Sequence, residues 1–245
     1  MEPEPFLAAL EVVGDLTSHV GASPSEVEAF ERDLGARLPA THRRLLMLSN
    51  GLEAYDGYIR LFGVGPGATI DMRAWNDPEL WKFAYRGRAD SYLCIGEDGQ
   101  GHQYAYRLEE LSASNGSPPV YCLLVNDMSI VVVYTSFDDF LDAGTFHGML
   151  RVDGDFVNWR DRLGPLNPRE HVVHRSFYIF DEVNRDLYER MDAAQAMIFL
   201  GDAWETGQAR EGVPDRLEFY KDSKGRDRLR VAWRDGQQSS HTARE

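Results

Sequence analysis

Cysteine is scarce in this chain of 245 residues: there are two, Cys94 and Cys122. Both lie in apolar, strand-like runs, so they read as buried free thiols of a reducing cytosol rather than as a disulfide or redox pair. Long apolar runs are missing too. None approaches the roughly 20 residues that span a bilayer. The opening MEPEPFLAAL is acidic and has no basic n-region, so no signal peptide is expected. The common catalytic signatures are also absent: there is no G-x-S-x-G, no H-E-x-x-H and no Cys–His nucleophile pattern. No repeat at a solenoid period is apparent.

Positive charge is in deficit, with 26 Lys and Arg against 40 Asp and Glu, a net of −14. The deficit is uneven. Residues 1–150 hold 22 acidic and 10 basic side chains, a net of −12, whereas residues 151–245 hold 18 and 16, a net of −2. An acidic N-terminal part repels phosphate backbones, which argues against direct nucleic-acid binding there. The same charge steers a basic protein inward or, on the plainer reading, keeps the surface soluble. What the chain does have is apolar content of 43% and aromatic content of 11%, enough for a folded core.

Local signals mark the first half clearly. FLAALEVVGDL within residues 5–20 reads as a short amphipathic helix. In SPSEVEAFERDLG, Ser23 suits an N-cap, Pro24 the first helical position and Glu26 the third, a capping box. Val27, Phe30 and Leu34 share one face, and Gly35 ends the helix. After Pro39 a second helix runs from Thr41 to Ser49, with Leu45 and Leu48 expected inward and Leu46 alongside, and Asn50-Gly51 closes it. Strands are expected in GYIRLFGVG, in YLCIG (92–96), in HQYAYRL (102–108) and in VYCLLVN (120–126). SIVVVYTS (129–136) has the Val/Ile density of a central strand. EDGQG is a tight polar turn. MRAWNDPELWKFAYRG reads as a loop with one helical turn, and SFDDFLDAGTF as a closing helix that Gly144 ends. Beyond residue 151 a connector is expected, then a helix over about 181–206 capped by Asp181, a β-hairpin over about 216–234 and a disordered polar tail.

Several motifs invite chemistry that their context refuses. GVGPGA, Gly63 to Ala68, fits G-x-G-x-x-[GA], but Pro66 and the polar stretch after it offer no helix for a pyrophosphate. GEDGQG lacks the Lys and Ser/Thr of a phosphate loop and the ligand spacing of a calcium loop. His171 and His174 in HVVH would share a face on a helix, but Val-Val favours a strand, which sends them to opposite faces. His42, His102 and His147 have no nominated partner. Acidic pairs such as Glu97-Asp98, Glu109-Glu110 and Asp138-Asp139 read as solvated turns and helix starts. The 216–234 hairpin carries 7 basic and 3 acidic residues, with Arg228 and Arg230 alternating with Leu229 and Val231. That pattern would serve a nucleic-acid arm, but it better suits pairing with the acidic N-terminal part, within the chain or between chains. No catalytic, cofactor-binding or metal-ligating residue is nominated.

In order, these pieces are a capped helix, a Leu38-Pro39 corner, a helix ending in Asn50-Gly51, a strand, an aromatic insertion, IGEDGQGHQYAYRL, further strands and SFDDFLD. That order resembles the SUKH superfamily, named for the Smi/Knr-type cell-wall synthesis regulators. The resemblance covers about residues 20–145. It implies an α+β domain over 1–150 with an antiparallel sheet flanked by helices. Residues 151–245 would be a C-terminal extension of helix and β-hairpin. It also implies a non-enzymatic, cytoplasmic protein-binding module. For bacterial members, that means an immunity protein that neutralises a basic nuclease or deaminase toxin. The alternative is a regulatory or scaffold protein binding a cellular client. No membrane partner is expected. Candidate partner contacts are the aromatics Trp75, Trp81, Tyr85 and Tyr92 and the acids Asp71, Asp77, Glu79, Glu97 and Asp98. For the tryptophans, exposed anchor and core packing both stay open.

Overall fold

The computed structural model describes residues 2–13, 16–113, 117–142, 155–177, 179, 187–207 and 213–234. The segment that opens the acidic part forms helix α1 (Pro3–Val13), which buries Phe6 and Leu10. Helix α2 (Pro24–Leu34) starts as its local chemistry dictates. The Ser23 hydroxyl accepts from the Glu26 N–H while the Glu26 carboxylate accepts from the Ser23 N–H, and Gly35 closes the helix at φ 73°. Helix α3 (Ala40–Leu48) follows the Pro39 corner. Its inward residues are His42, Leu45 and Leu46, and Leu48 is exposed, so the helix is rotated from the expected Leu45/Leu48 face.

The strands form one seven-stranded antiparallel sheet whose spatial order is the chain order. They are β1 (Thr17–Ser18), β2 (Leu52–Ala54), β3 (Ile59–Leu61), β4 (Tyr92–Asp98), β5 (Gln103–Arg107), β6 (Val120–Leu123) and β7 (Ile130–Tyr134). Each pairs with the next, so this part of the fold needs no crossover. Strand β4 runs two residues past the expected Gly96 and takes Glu97 into the sheet. The run IVVVY, expected to be central, is the terminal strand. Among the described residues β7 pairs only with β6. Val/Ile density reports a pleated surface and does not distinguish an edge from a centre.

Period-2 alternation gives the sheet two faces. Tyr104 and Tyr106 of β5 face the helices. His42 of α3 stacks on Phe137 at 4.3 Å, with its Nδ1 3.1 Å from the Tyr106 hydroxyl. Phe137 and Phe140 come from α6 (Phe137–Phe140), capped by Ser136, after the short helix α5 (Leu108–Ala113). The expected stop at Gly144 lies outside the described residues. Arg60, Glu97 and Gln103 are cross-strand neighbours on the opposite face. That face is covered by the aromatic insertion, with helix α4 (Met72–Trp75) and the 3-10 turn Lys82–Tyr85, and by the C-terminal extension.

The extension departs from its expected outline. Residues 155–163, read as connector, form helix α7 (Asp155–Leu163). The chain then makes β8 (Glu170–His174), which pairs antiparallel with β9 (Tyr188–Asp192). Tyr188 to Asp192 were expected inside a helix, but pairing with β8 takes them into a strand. Helix α8 (Ala193–Gly207) begins only after them. Asp181 and Val183 lie outside the described residues. Strands β10 (Val213–Lys221) and β11 (Asp227–Arg234) form the hairpin around a turn with Gly225 at φ 78°. The polar tail after Arg234 is outside the described residues.

The extension is bolted to the first part by specific polar contacts. Val172 N–H donates to Gly99 O at 2.7 Å and Leu166 N–H to Asp56 O at 2.9 Å. Arg60 Nη2 donates to Asn167 O at 3.0 Å and Glu170 O at 2.8 Å. Helix α8 packs on the 3-10 turn, where Gly201 has Ala84 as its nearest neighbour.

Candidate functional site

A groove of about 800 Å³ opens where the insertion meets the extension. One wall is the glycine loop: Gly65, Pro66, Ala68, Thr69 and Ile70. This is the GVGPGA motif, and it forms a closed loop, not a helix start. Asn50 brackets Val64, with Nδ2 donating to its O at 2.9 Å and Oδ1 accepting from its N–H at 2.7 Å. Gly63 N–H donates to Ile70 O at 3.0 Å, and a Cβ on Gly63 would sit 2.4 Å from Asn50 O. The second wall is α4 and the residues after it: Asp71, Ala74, Trp75, Asp77, Glu79 and Leu80. The third comes from the extension: Pro168, Arg169, Asp192, Ala193 and Ala194.

Four carboxylates and one guanidinium therefore share this groove. Each of three acids is positioned by a local backbone bond. Asp71 Oδ1 accepts from Gly65 N–H at 3.0 Å and caps α4. Asp77 Oδ1 accepts from Glu79 N–H at 2.8 Å, and Asp192 Oδ1 from Gln195 N–H at 3.0 Å. These bonds hold the carboxylates in place, and among the described residues none of the three forms an ion pair. Glu79 differs. It pairs with Lys224 and, at 3.4 Å, with Arg226 from the β10–β11 turn. The basic hairpin thus reaches the acidic part within one chain, as one of the two expected arrangements required. Its other cations mostly pair inside the extension: Arg216 and Arg230 with Glu218, Arg234 with Asp215, Arg228 with Asp202.

The candidate residues separate into two groups. Asp71, Asp77 and Glu79 come together on the groove. The aromatics are not surface anchors: Trp75, Trp81, Tyr85 and Tyr92 are all buried. Trp81 donates Nε1–H to Trp75 O, and Tyr85 donates its hydroxyl to Val125 O. Their large apolar rings fill the layer over the sheet, and only Trp75 also borders the groove. Core packing is thus the reading that holds for the tryptophans.

Glu97 is likewise not a surface contact. It is fully buried with Arg60, Gln103 and His171. Arg60 Nη1 lies 3.0 Å from Oε1, and His171 Nε2 lies 3.0 Å from Oε2. Gln103 Nε2 donates to Oε2 at 3.1 Å, and Gln103 Oε1 accepts from Trp75 Nε1–H at 2.8 Å. Burial alone would raise the Glu97 pKa; its interactions with His171, then the Arg60 guanidinium and the Gln103 bond, prevail and hold it below the usual value. Asp98 shapes the β4–β5 turn. Its Oδ1 accepts from the N–H groups of Gln100, Gly101 and His102 at 3.0, 3.1 and 3.0 Å. Burial pushes its pKa up, and His102 with these donors more than reverses that.

HVVH forms a strand. His171 points to Glu97, and His174 Nδ1 lies 2.6 Å from the Ser176 hydroxyl. Among the described residues no group of three or more His, Cys, Asp or Glu is arranged to hold a metal ion. Cys94 and Cys122 are free and buried, and burial raises the Cys94 thiol to about 11. No helix among the described residues is long and apolar enough to cross a membrane.

Sequence reading missed Arg169 and Asp192 as groove residues and Arg60 and His171 as partners of Glu97. Their neighbours are distant in the chain, and no spacing rule links them.

Against this geometry, comparison with known proteins places the fold. Residues 21–143, about half the chain, match the SMI1 / KNR4 family (SUKH-1). The chain belongs to the SMI1 / KNR4 family. The SUKH-1 match takes in α2, α3, the sheet from β2 to β7 and the aromatic insertion, and it stops before the extension. Among curated proteins none matches. One solved structure, described as the crystal structure of Atu4351 from Agrobacterium tumefaciens, is similar at 9% identity with a TM-score of 0.46; the alignment covers 74% of this chain and 81% of that one. The groove is therefore composite. Two of its walls lie in the SUKH-1 region and the third in the extension.

Proposed function

We propose that this SUKH-1 protein is a non-enzymatic, cytoplasmic immunity protein that binds and neutralises a basic toxin of the nuclease or deaminase class. The observation that carries the reading is the groove that gathers Asp71, Asp77 and Asp192, with Glu79 already paired to Lys224 and Arg226, and with Arg169 as the cation among its lining residues. A surface of one sign steers an oppositely charged partner and selects against acidic ones. The net of −12 on residues 1–150 extends that field over the whole first part. Two buried free thiols fit a reducing compartment.

The test is co-purification of the tagged full chain with proteins encoded beside its gene, followed by growth rescue when the candidate toxin is expressed. The expected result is a basic toxin captured at low salt, released as salt rises and silenced in cells. Capture of a non-toxic cellular client alone would replace this reading with that of a regulatory or scaffold protein, which membership of the SMI1 / KNR4 family equally allows. Turnover of a small molecule by the purified chain would refute both.

A further inference from the structure

Strand β7 ends the sheet with five uncharged residues, Ile130 to Tyr134. Ile130, Val131, Val132 and Val133 are between 42% and 51% exposed, so both faces of the strand are half-open up to Tyr134, which packs on Phe140. Among the described residues its outer edge has no hydrogen-bonded strand. Natural edges are normally protected by Lys, Pro or inward-pointing charge, and β7 carries none of these along its length. Four consecutive half-exposed β-branched residues on an edge that no described strand pairs mark a place where another strand adds.

We infer that β7 is a docking edge for an extended segment of a protein partner, with uncharged β-branched residues at its centre and Lys or Arg at its ends. The inference rests on the protein-binding reading above and assigns it a second surface. Charge decides the occupant. Asp127 precedes β7, and Asp138 and Asp139 follow it. A second copy pairing antiparallel would set Asp127 of one chain against Asp138 and Asp139 of the other. Both ends of the pair would then repel, on top of a net charge of −14 per chain. A partner strand with basic ends meets carboxylates at both ends instead.

The probe is a labelled peptide, Lys-Lys-Thr-Val-Thr-Val-Thr-Lys-Lys, with a control in which Glu replaces every Lys. Binding to the full chain is read by fluorescence anisotropy, and its place by amide hydrogen exchange. The basic peptide is expected to bind more weakly as salt rises and to slow exchange within residues 130–134. Val131→Lys and Val133→Lys, checked for an unchanged melting curve, are expected to weaken it about tenfold or more. Equal binding of the acidic peptide, protection elsewhere, or full protection of both β7 edges in the free protein would overturn the inference. So would a dimer in sedimentation that Val131→Lys dissolves, because the occupant would then be a second copy. If the Lys variants still capture and silence the toxin and the peptide does not bind, the edge is refuted and the immunity reading stands. If the peptide protects β7 but no toxin is captured, the edge stands and the immunity reading fails.

Discussion

Glu97 Oε2 lies 3.0 Å from His171 Nε2, and both side chains are fully buried. The first residue belongs to the central sheet and the second to the extension. Together with Arg60 they join the SUKH-1 region to a segment the family match does not cover. A buried charge is tolerated only while its partners stay in place.

Replacing Glu97 with Gln leaves Arg60 and His171 buried beside a neutral amide. We expect a loss of about 3–5 kcal/mol in unfolding free energy, measured by urea titration. Faster tryptic cleavage beyond residue 150 is expected too, because the extension loses its central tie. The wild-type tie also weakens in acid. The Glu97 pKa is depressed in the fold, so its contribution is complete above the unfolded carboxylate value and is lost as pH falls through the lower folded one. A variant as stable and as protease-resistant as the parent would remove this role.

Gly101 is expected to tolerate no side chain. Its φ is +95°, and a Cβ would meet His171 Nδ1 at 2.7 Å and Cε1 at 2.8 Å. Gly101→Ala should cost at least about 2 kcal/mol, from left-handed strain and from pushing His171 off Glu97. Thermal melts of the two proteins settle it, and an unchanged midpoint would contradict the packing described.

His42 predicts a pH response that needs no partner. Burial lowers its pKa to about 3, against an ordinary value of 6.5. The folded state excludes a proton that the unfolded chain takes up. Stability is therefore full above pH 6.5 and falls as pH drops toward 3, by about 2 kcal/mol between pH 7 and pH 5. His42→Phe keeps an aromatic ring on Phe137 and should flatten that slope. If the variant shows the same slope as the parent, another group is responsible.

The groove can be discharged without reshaping it. Asp71→Asn, Asp77→Asn and Asp192→Asn each retain a side-chain carbonyl for the backbone bond that positions them. Combined, they should leave the melting temperature within a few degrees and weaken capture of a basic toxin about tenfold or more, with a shallower salt dependence. Undiminished affinity would move the binding surface away from the groove.

Lys224 and Arg226 meet Glu79 at the exposed rim. Lys224→Ala should change stability by less than about 1 kcal/mol, since exposed ion pairs contribute little. It should also leave Glu79 with Arg226 alone and strengthen binding of a basic partner modestly. Calorimetric titration of parent and variant would show whether the hairpin turn competes for that carboxylate.

Ser23, Glu26 and Gly35 spell out a helix with its ends, because a capping box and a left-handed cap involve neighbours within a turn. The β4–β5 hairpin was legible for the same reason: Asp98 organises its own next four residues. By contrast, Tyr188 to Asp192 carry a spacing that suits a helix, and only pairing with β8 makes them a strand. Leu48, expected inward on α3, is exposed and His42 is buried, because His42 packs on Phe137 and Tyr106, which arrive from much later in the chain.

The sequence by itself determined the family, the order of the first helices and strands, the hairpin turns and the excess of negative charge. Each of these depends on composition or on residues a few positions apart. The tertiary structure alone decided which aromatics are interior, that Glu97 is a buried tie rather than a surface acid, that β7 lies at an edge, and that Asp192 faces Asp71 and Asp77 across a groove. Those outcomes depend on which distant segments share a face. Burial, desolvation and charge pairing act on that proximity, and chain order does not encode it locally.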